Sequence, residues 1–388
     1  MSELPFLVAG GGIAGLAAAL GLSRAGLASH LFEQASAFEE AGAGLQMSPN
    51  GVAALQQLGA WEAVEPACVI PSEIHVRDGM TGSLLQRMRL GKPFEEEFGA
   101  PYRVCHRADL LSGLLATARS LPSITLETGT RITGADVGEA PALALADGRG
   151  ISGAAIIAAD GIRSTLRSLV CGNVDPVPRN QTIFRALIPL KDVPPEIEAD
   201  CVTLWLYPGG HVVHYPVSNW RSFNIVAALD VRNPDEGWNT QAQRREVVPS
   251  FSRACDALML LLEAPLSWLK WQGADLPELP RWSKENALLI GDAAHATLPY
   301  LAQGAVMALE DACVLSREMS RGLAPASAFV NVESMRRQRT ARIQAQSRRM
   351  SKVYHASGPL ALARNAVLRF GGTRPALRQM EWIYRWKP

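Results

Sequence analysis

The stretch Phe6-Leu7-Val8-Ala9-Gly10-Gly11-Gly12-Ile13-Ala14-Gly15 decides how the chain is read, because an apolar run of strand length passes directly into the spacing G-x-G-x-x-G. Leu16 to Ala25 follow, almost all Ala, Leu and Gly, as suits a helix packed on a sheet. A second strand is expected over Ala28 to Phe32, closed by Glu33. Gly10 permits a tight turn, Gly12 lets the backbone approach a pyrophosphate, and Gly15 lets helix and strand pack closely. The first helical turn, Ala14 included, then points its free N–H groups at phosphate. Glu33 stands about 20 residues beyond the glycines, where a carboxylate accepts the hydrogen bonds of an adenosine ribose. The unit predicts dinucleotide binding without choosing between NAD and FAD.

The apolar length of Leu4 to Leu22 also resembles a membrane span, but five glycines interrupt it and only Ser2 and Glu3 stand upstream of Leu4. No transmembrane segment or signal sequence is therefore expected. At 388 residues, 48% hydrophobic and 19% charged, the chain has an ordinary globular balance and room for two domains. Its six cysteines contain no C-x-x-C pair, which argues against a metal site or a disulfide framework and for a reducing cytoplasm. Net charge is +1, unevenly spread: from Ser334 onward there are 13 Lys or Arg and one acid, so the first 333 residues carry a net of −11. The expected role of this basic tail is to dock on the acidic body. A weak lipid-surface contact stays open, and no nucleic-acid module accompanies the charge.

Along the chain, Gly42 to Gly51 form a glycine loop leading into a helix over Gly51 to Leu58, with Pro49 and Asn50 as helix-start residues. Strands are expected over Glu73 to Arg77 and Leu84 to Leu90, and a helix from Arg107 to about Ser120. Thr125 to Asp147 reads as a β-meander with Asp147-Gly148 as its hairpin turn, and Ala154 to Ala159 as a buried strand ending in Asp160-Gly161. From Thr182 to about Trp271, strands rich in Val, Ile, Trp and Tyr suggest a second, sheet-based domain, with a helix over Gln241 to Ala254. Ala287 to Ile290 returns to a buried strand. Helices follow over Gly304 to Met319, Ala326 to Tyr354 and Leu360 to Phe370. The fold class is thus α/β: a Rossmann-like domain of residues 1–72, 101–181 and 275–325, an inserted β-sheet domain of residues 73–100 and 182–274, and a helical segment 326–388.

Three stretches each follow a short apolar strand: Gly10 to Gly15, Asp160-Gly161-Ile162-Arg163-Ser164-Thr165-Leu166-Arg167, and Gly291-Asp292-Ala293-Ala294-His295. Together, with the block from Ala287 to Ala312 as the most specific part, they resemble the class A flavoprotein aromatic hydroxylases, the p-hydroxybenzoate hydroxylase-like group. The resemblance covers about Phe6 to Tyr354. It implies FAD as cofactor, held by Gly10, Gly12, Ala14, Gly15 and Glu33 at the ADP end, by Arg107 at phosphate or ribityl oxygens, and by Asp292 at the ribityl chain. Asp160 matches the acid of the family's Asp-Gly motif. Gly304 and Ala305 open a helix whose positive end suits a reduced, anionic flavin, and Pro299 matches a proline lying along the flavin ring. His295 is expected to be structural. Gln34, where many members carry arginine, and Ala296, where proline is frequent, depart from the pattern.

In the second domain, Tyr207-Pro208-Gly209-Gly210-His211-Val212-Val213-His214-Tyr215-Pro216 reads as a turn and then a strand, so 211, 213 and 215 share a face and His214 points away. His211 and Tyr215 suit the two ends of a phenol, one taking its proton near neutral pH and one bonding the ring substituent. The block resembles its counterpart in salicylate hydroxylase, 3-hydroxybenzoate 6-hydroxylase and 6-hydroxynicotinate 3-monooxygenase, which implies that His211, Tyr215, Pro299 and, from the glycine loop, Met47 line the substrate pocket. 3-Hydroxybenzoate 6-hydroxylases tend to place glutamine where Pro299 stands, so Leu298-Pro299-Tyr300 tilts the reading toward salicylate-like substrates. The reaction implied is hydroxylation of a small aromatic acid with NAD(P)H and O2 through a flavin C4a-hydroperoxide. With a single G-x-G-x-x-G, NAD(P)H should bind transiently, and the assembly is expected to be a monomer or homodimer. The alternatives are another flavoenzyme on the same fold, a reductase or halogenase, or a redox sensor without turnover.

Overall fold

The computed structural model describes residues 4–38, 43–232, 234, 237 and 239–387. Gly42, where the expected glycine loop begins, lies outside them. The first of two large sheets has six strands in the order Ser283–Lys284, Ala287–Leu289, Ile156–Ala158, Phe6–Ala9, Ser29–Phe32 and Ile124–Glu127. All neighbours are parallel except the edge pair Ser283–Lys284 with Ala287–Leu289. Parallel strands covered on both faces need continuous apolar runs, and Phe6–Ala9, Ile156–Ala158 and Ala287–Leu289 are buried throughout. Helices Ile13–Arg24, Arg107–Arg119 and Gly304–Met319 contribute to the same apolar core.

The expected meander from Thr125 to Asp147 is corrected. Its first strand, Ile124–Glu127, pairs in parallel with Ser29–Phe32 at the edge of the main sheet. Only Ile132–Asp136, Ala142–Leu145 and Gly150–Ser152 form an antiparallel three-stranded sheet. Alternating hydrophobicity marks a strand, but it does not name the strand's partner.

The second large sheet has eight strands in the order Thr240–Ala242, Trp268–Asp275, Val177–Pro189, Ser222–Asp230, Gly210–Val217, Val202–Tyr207, Glu73–Asp78 and Leu84–Arg89. Neighbours are antiparallel except Val202–Tyr207 beside Glu73–Asp78. One face packs Phe184, Val212 and Phe223 with Phe251, Leu258, Leu261 and Trp268 into a core of its own. The expected helix over Gln241 to Ala254 is absent. Thr240–Ala242 pairs with Trp268–Asp275, a helical turn spans Arg244–Val247, a 3₁₀ turn spans Val248–Phe251, and the helix itself comes later, at Asp256–Glu263. Pro249 removes an N–H that a continuous helix would need at that point.

A third apolar cluster joins the eight-stranded sheet to helix Gly304–Met319, which itself packs in the core of the parallel sheet, with Tyr102, Val104, Tyr215, Val217, Leu301, Met307, Ile343, Ile383 and Tyr384. Its last members come from the helices Pro325–Tyr354 and Thr373–Tyr384, the latter unforeseen. The basic tail docks by ion pairs on the body: Arg336 with Glu310 and Asp311, Arg339 with Glu310, and Arg348 with Asp275. No helix among the described residues is long and apolar enough to cross a membrane.

Candidate functional site

In the parallel sheet Ala9 is aligned with both Ala158 and Phe32, and Ala158 with Leu289. The segments that follow these strands therefore emerge side by side at their carboxyl ends, where open α/β sheets bind ligands. They are the Gly10 turn, Glu33, Asp160 and Gly291-Asp292. The turn is tightly closed: Gly10 has φ +105°, and a Cβ on Gly15 would lie 1.8 Å from the Gly10 carbonyl oxygen. Glu33 accepts hydrogen bonds from the Gly11 N–H (2.7 Å) and the Ala35 N–H (2.8 Å), which fixes its carboxylate beside the turn.

Asp160 Oδ2 accepts from the Thr165 and Leu166 N–H groups, while Oδ1 is buried with no partner among the described residues. Arg107 opens the helix Arg107–Arg119 near Asp292; burial lowers the guanidinium pKa and the Asp292 charge pulls it back up. Asp292, exposed, begins the short helix Asp292–His295. Helix Gly304–Met319 starts without a side-chain cap from Gln303, and among the described residues no side chain accepts from the N–H groups of Gly304 and Ala305. The site thus offers two helix starts with free donors, a cation, and a buried carboxylate oxygen without a donor among the described residues. That set fits the pyrophosphate and polyol of a flavin dinucleotide.

The eight-stranded sheet supplies the facing wall. His211 is paired with Ala228, Tyr215 with Asn224, and Arg185 with Val226, which is itself paired with Val213. Paired residues share a face, so His211, Tyr215, Asn224 and Arg185 all project to one side, and His214 to the other with Phe223 and Trp205. At one end of this wall Gly44 approaches so closely that a Cβ there would lie 2.5 Å from the Tyr215 ring; its N–H donates to Asn224 Oδ1 at 2.7 Å. Gln46, from the same strand Gly44–Met47, accepts from the Tyr102 hydroxyl at 2.6 Å. Burial raises the Tyr215 phenol well above its usual pKa, so it stays a neutral donor.

At the other end His211 is 4% exposed, its ring 5.0 Å from Tyr300 and 5.4 Å from Tyr354. Tyr300 follows Pro299 in a 3₁₀ turn, which ties the Pro299 segment to His211. Burial, then the neighbouring His355, push the His211 pKa well below its usual value. The expectation of a base titrating near neutrality on its own is corrected by that burial.

Met47 does not join this wall. Its side chain alternates away from Gln46, is fully buried, and lies against Gly51 and Val306 where the helices Pro49–Leu58 and Gly304–Met319 meet. His295 is equally internal: its Nε2 is 2.6 Å from Asp311 Oδ2, and Asp311 also pairs with Arg336. Burial pushes the Asp311 carboxyl up, but His295 and Arg336 outweigh it and hold it below its usual range.

Residues that the sequence did not single out are Arg185, Gln46, His355 and Asp230. Arg185 stacks on the Trp271 ring at 3.8 Å, and its Nε makes no hydrogen bond among the described residues. Arg185 is half-buried; burial and then the Arg107 charge push its pKa down to about 9, with Tyr215 opposing. A half-buried cation without a carboxylate partner among the described residues was the one signal available, and it exists only in three dimensions.

Comparison with known proteins agrees with this architecture. A family described as FAD binding domain matches residues 3–349. The chain is 35% identical to a 3-hydroxybenzoate 6-hydroxylase of Polaromonas naphthalenivorans, covering 99% of this chain and 96% of that one. It is 33% identical to a 3-amino-4-hydroxybenzoate 2-monooxygenase of Streptomyces platensis, covering 97% and 94%. A solved salicylate hydroxylase substrate complex superposes with a TM-score of 0.84 at 27% identity, over 100% of this chain and 96% of that one. The glycine turn, the carboxyl-end acids and the inserted sheet thus stand in a chain that belongs to the FAD-binding class A flavoprotein aromatic hydroxylases.

Proposed function

We propose that this FAD-dependent monooxygenase hydroxylates a small phenolic carboxylic acid, a hydroxybenzoate or hydroxypyridine carboxylate, consuming NAD(P)H and O2. The observation that carries the reading is the shared face of His211, Tyr215 and Arg185 opposite the Pro299-Tyr300 segment. Residues 1–72, 101–181 and 275–325 hold the cofactor, 73–100 and 182–274 the substrate, and 326–388 close the site from outside.

Gly10, Gly12, Ala14 and Gly15 take the pyrophosphate, Glu33 the ribose, Arg107 the phosphate or polyol oxygens, Asp160 and Asp292 the polyol hydroxyls, and Gly304 and Ala305 the pyrimidine edge of the ring. Bound FAD supplies electron transfer and oxygen activation. The chain supplies the rest. Arg185 pairs with the substrate carboxylate, relieving its own buried charge. Tyr215 donates a hydrogen bond to a ring substituent, and Pro299 limits the space beside the ring. His211 takes the phenol proton, which raises electron density on the carbon to be oxidised.

The test is NAD(P)H oxidation by the FAD-loaded enzyme against a panel of hydroxybenzoates and hydroxypyridine carboxylates, with product mass determined. Stimulation accompanied by a gain of one oxygen in the acid is the expected result. Absence of stimulation by every acid in the panel overturns the reading.

A further inference from the structure

Behind His211 the structure holds a chain of three groups that leads out of the protein. His211 Nδ1 is 2.9 Å from His355 Nε2, and His355 Nδ1 is 2.7 Å from Asp230 Oδ1. The side chain of His355 is 3% exposed and that of Asp230 49% exposed, so the chain runs from interior to surface. The three residues come from different elements: the strand Gly210–Val217, the end of helix Pro325–Tyr354, and the end of strand Ser222–Asp230. Gly209 locks them together through its backbone, donating to the His355 carbonyl at 3.0 Å and accepting from the Asp230 N–H at 2.9 Å.

The charges fix the tautomers. Ionised Asp230 only accepts, so His355 carries its proton on Nδ1 and offers Nε2 as acceptor. His211 must then donate from Nδ1, which leaves its own Nε2 as the open lone pair. Among the described residues that nitrogen has no hydrogen-bond partner. We propose that His355 and Asp230 form a proton relay that carries the substrate phenol proton from His211 to solvent.

The transfer balances without another reagent. The substrate O–H bond breaks and its proton bonds to His211 Nε2, while the Nδ1 proton of His211 passes to His355 Nε2. The phenol becomes phenolate and His355 an imidazolium held by the Asp230 carboxylate; the His355 Nδ1–H bond then breaks, and its proton passes by way of that carboxylate to water, leaving His355 neutral. A proton left on His211 would face only a second imidazole; one moved to His355 faces an anion. Burial pushes the Asp230 carboxyl up, but the hydrogen bond and charge of His355 outweigh it and keep it ionised.

The groups around the relay support this assignment. Tyr300 OH lies 3.3 Å from His355 Nε2, Gln181 Nε2 donates to Asp230 Oδ1 at 3.0 Å and to Ser351 Oγ at 2.7 Å, and Tyr354 flanks His211. Burial raises the pKa of both tyrosines, so neither competes for the proton. Among the described residues no lysine, arginine or further carboxylate forms an ion pair with either imidazole. His355 and Asp230 are positioning and relay residues; of the three, His211 is the one that would meet the substrate.

This inference rests on His211 being the base. The experiment is stopped-flow mixing of the FAD-loaded, oxidised enzyme with 3-hydroxybenzoate or salicylate in weak buffer, without NAD(P)H. Two signals are followed: the ultraviolet shift of phenol to phenolate and the colour of a pH indicator. Wild type should show both at one rate. His355→Gln and Asp230→Asn should slow both by about tenfold or more, within the usual range for loss of proton-transfer groups. Added imidazole should restore the rate in His355→Gln. Asp230→Asn, changed at the surface, serves as the variant whose fold is least at risk.

If His211→Asn abolishes the phenolate signal while both relay variants keep wild-type rates, the base stands and the relay falls. If His211→Asn changes nothing, the base assignment fails and takes the relay with it.

Discussion

Replacing Arg185 by Met should stabilise the protein while weakening its hold on aromatic carboxylates. The guanidinium has no ion-pair partner among the described residues, and burial and then Arg107 push its pKa down to about 9. Such a fall from the ordinary arginine value is roughly three to four powers of ten in proton affinity, or ~4–5 kcal/mol of destabilised cation. Partial contact with solvent screens the charge, so about half, ~2 kcal/mol, is the expected gain when an apolar side chain of similar reach replaces it. The unfolded arginine is charged up to higher pH than the folded one. The cost is therefore complete at pH 7 and shrinks only as pH rises through about 9. On the ligand side, removing one member of a buried charge pair costs ~2–5 kcal/mol, roughly 30-fold to several thousand-fold in Kd. The assay is a urea melt of both proteins, together with titration of the flavin absorbance by 3-hydroxybenzoate, salicylate and uncharged phenol. Acid binding should weaken and phenol binding should not. Equal losses for acid and phenol, or a less stable variant, would refute the assignment.

Four further outcomes follow from named contacts. Gly15→Ala should abolish FAD retention, because its Cβ would lie 1.8 Å from the Gly10 oxygen and open the turn; flavin content after gel filtration reads this directly. Asp292→Ala should leave the fold intact and lower FAD affinity by about ten- to a hundredfold, the usual worth of a charge-assisted hydrogen bond, measured by fluorescence titration. Arg336→Ala removes one partner from each of the fully buried Glu310 and Asp311, leaving Arg339 on the first and His295 on the second, and should cost ~3 kcal/mol of unfolding free energy in urea, the low end for breaking a buried pair. His214, held near 3 by burial and then by the charges of Arg77 and His75, stays neutral when folded but protonates below about pH 6.5 when unfolded. Stability should therefore fall as pH drops through that window, by at most ~5 kcal/mol, and His214→Phe should flatten the acid limb of a stability–pH profile.

What the sequence made legible was what short-range rules govern. The turn from Phe6 to Gly15 and the helix Gly304–Met319 appear as expected, since glycine spacing and helix starts are local signals. Sheet membership is not local. Ile124–Glu127 looked like part of a hairpin, yet it pairs in parallel with Ser29–Phe32, almost 100 residues earlier. The short helices Lys92–Phe98, Asp256–Glu263 and Thr373–Tyr384 escaped notice because they end at glycine, a bend or a loop after two or three turns, too few for periodicity to show.

The site divides along the same line. Residues tied to a motif could be named, whereas His355 and Asp230 stand 144 and 125 residues from the partners they meet, in segments without any motif. This matters for chemistry as well as for finding them. Read from sequence, His211 is one imidazole with an ordinary affinity for protons. In the fold, burial makes its cation unfavourable, and a lone His211 would be a poor base at neutral pH. The second imidazole changes which species must form. Because His355 lies in line and Asp230 holds its far nitrogen, proton uptake at His211 Nε2 can end as a cation on His355, and the affinity that governs the reaction belongs to the pair. Burial can then keep the substrate end dry without disabling the base, since the charge is carried at the other end.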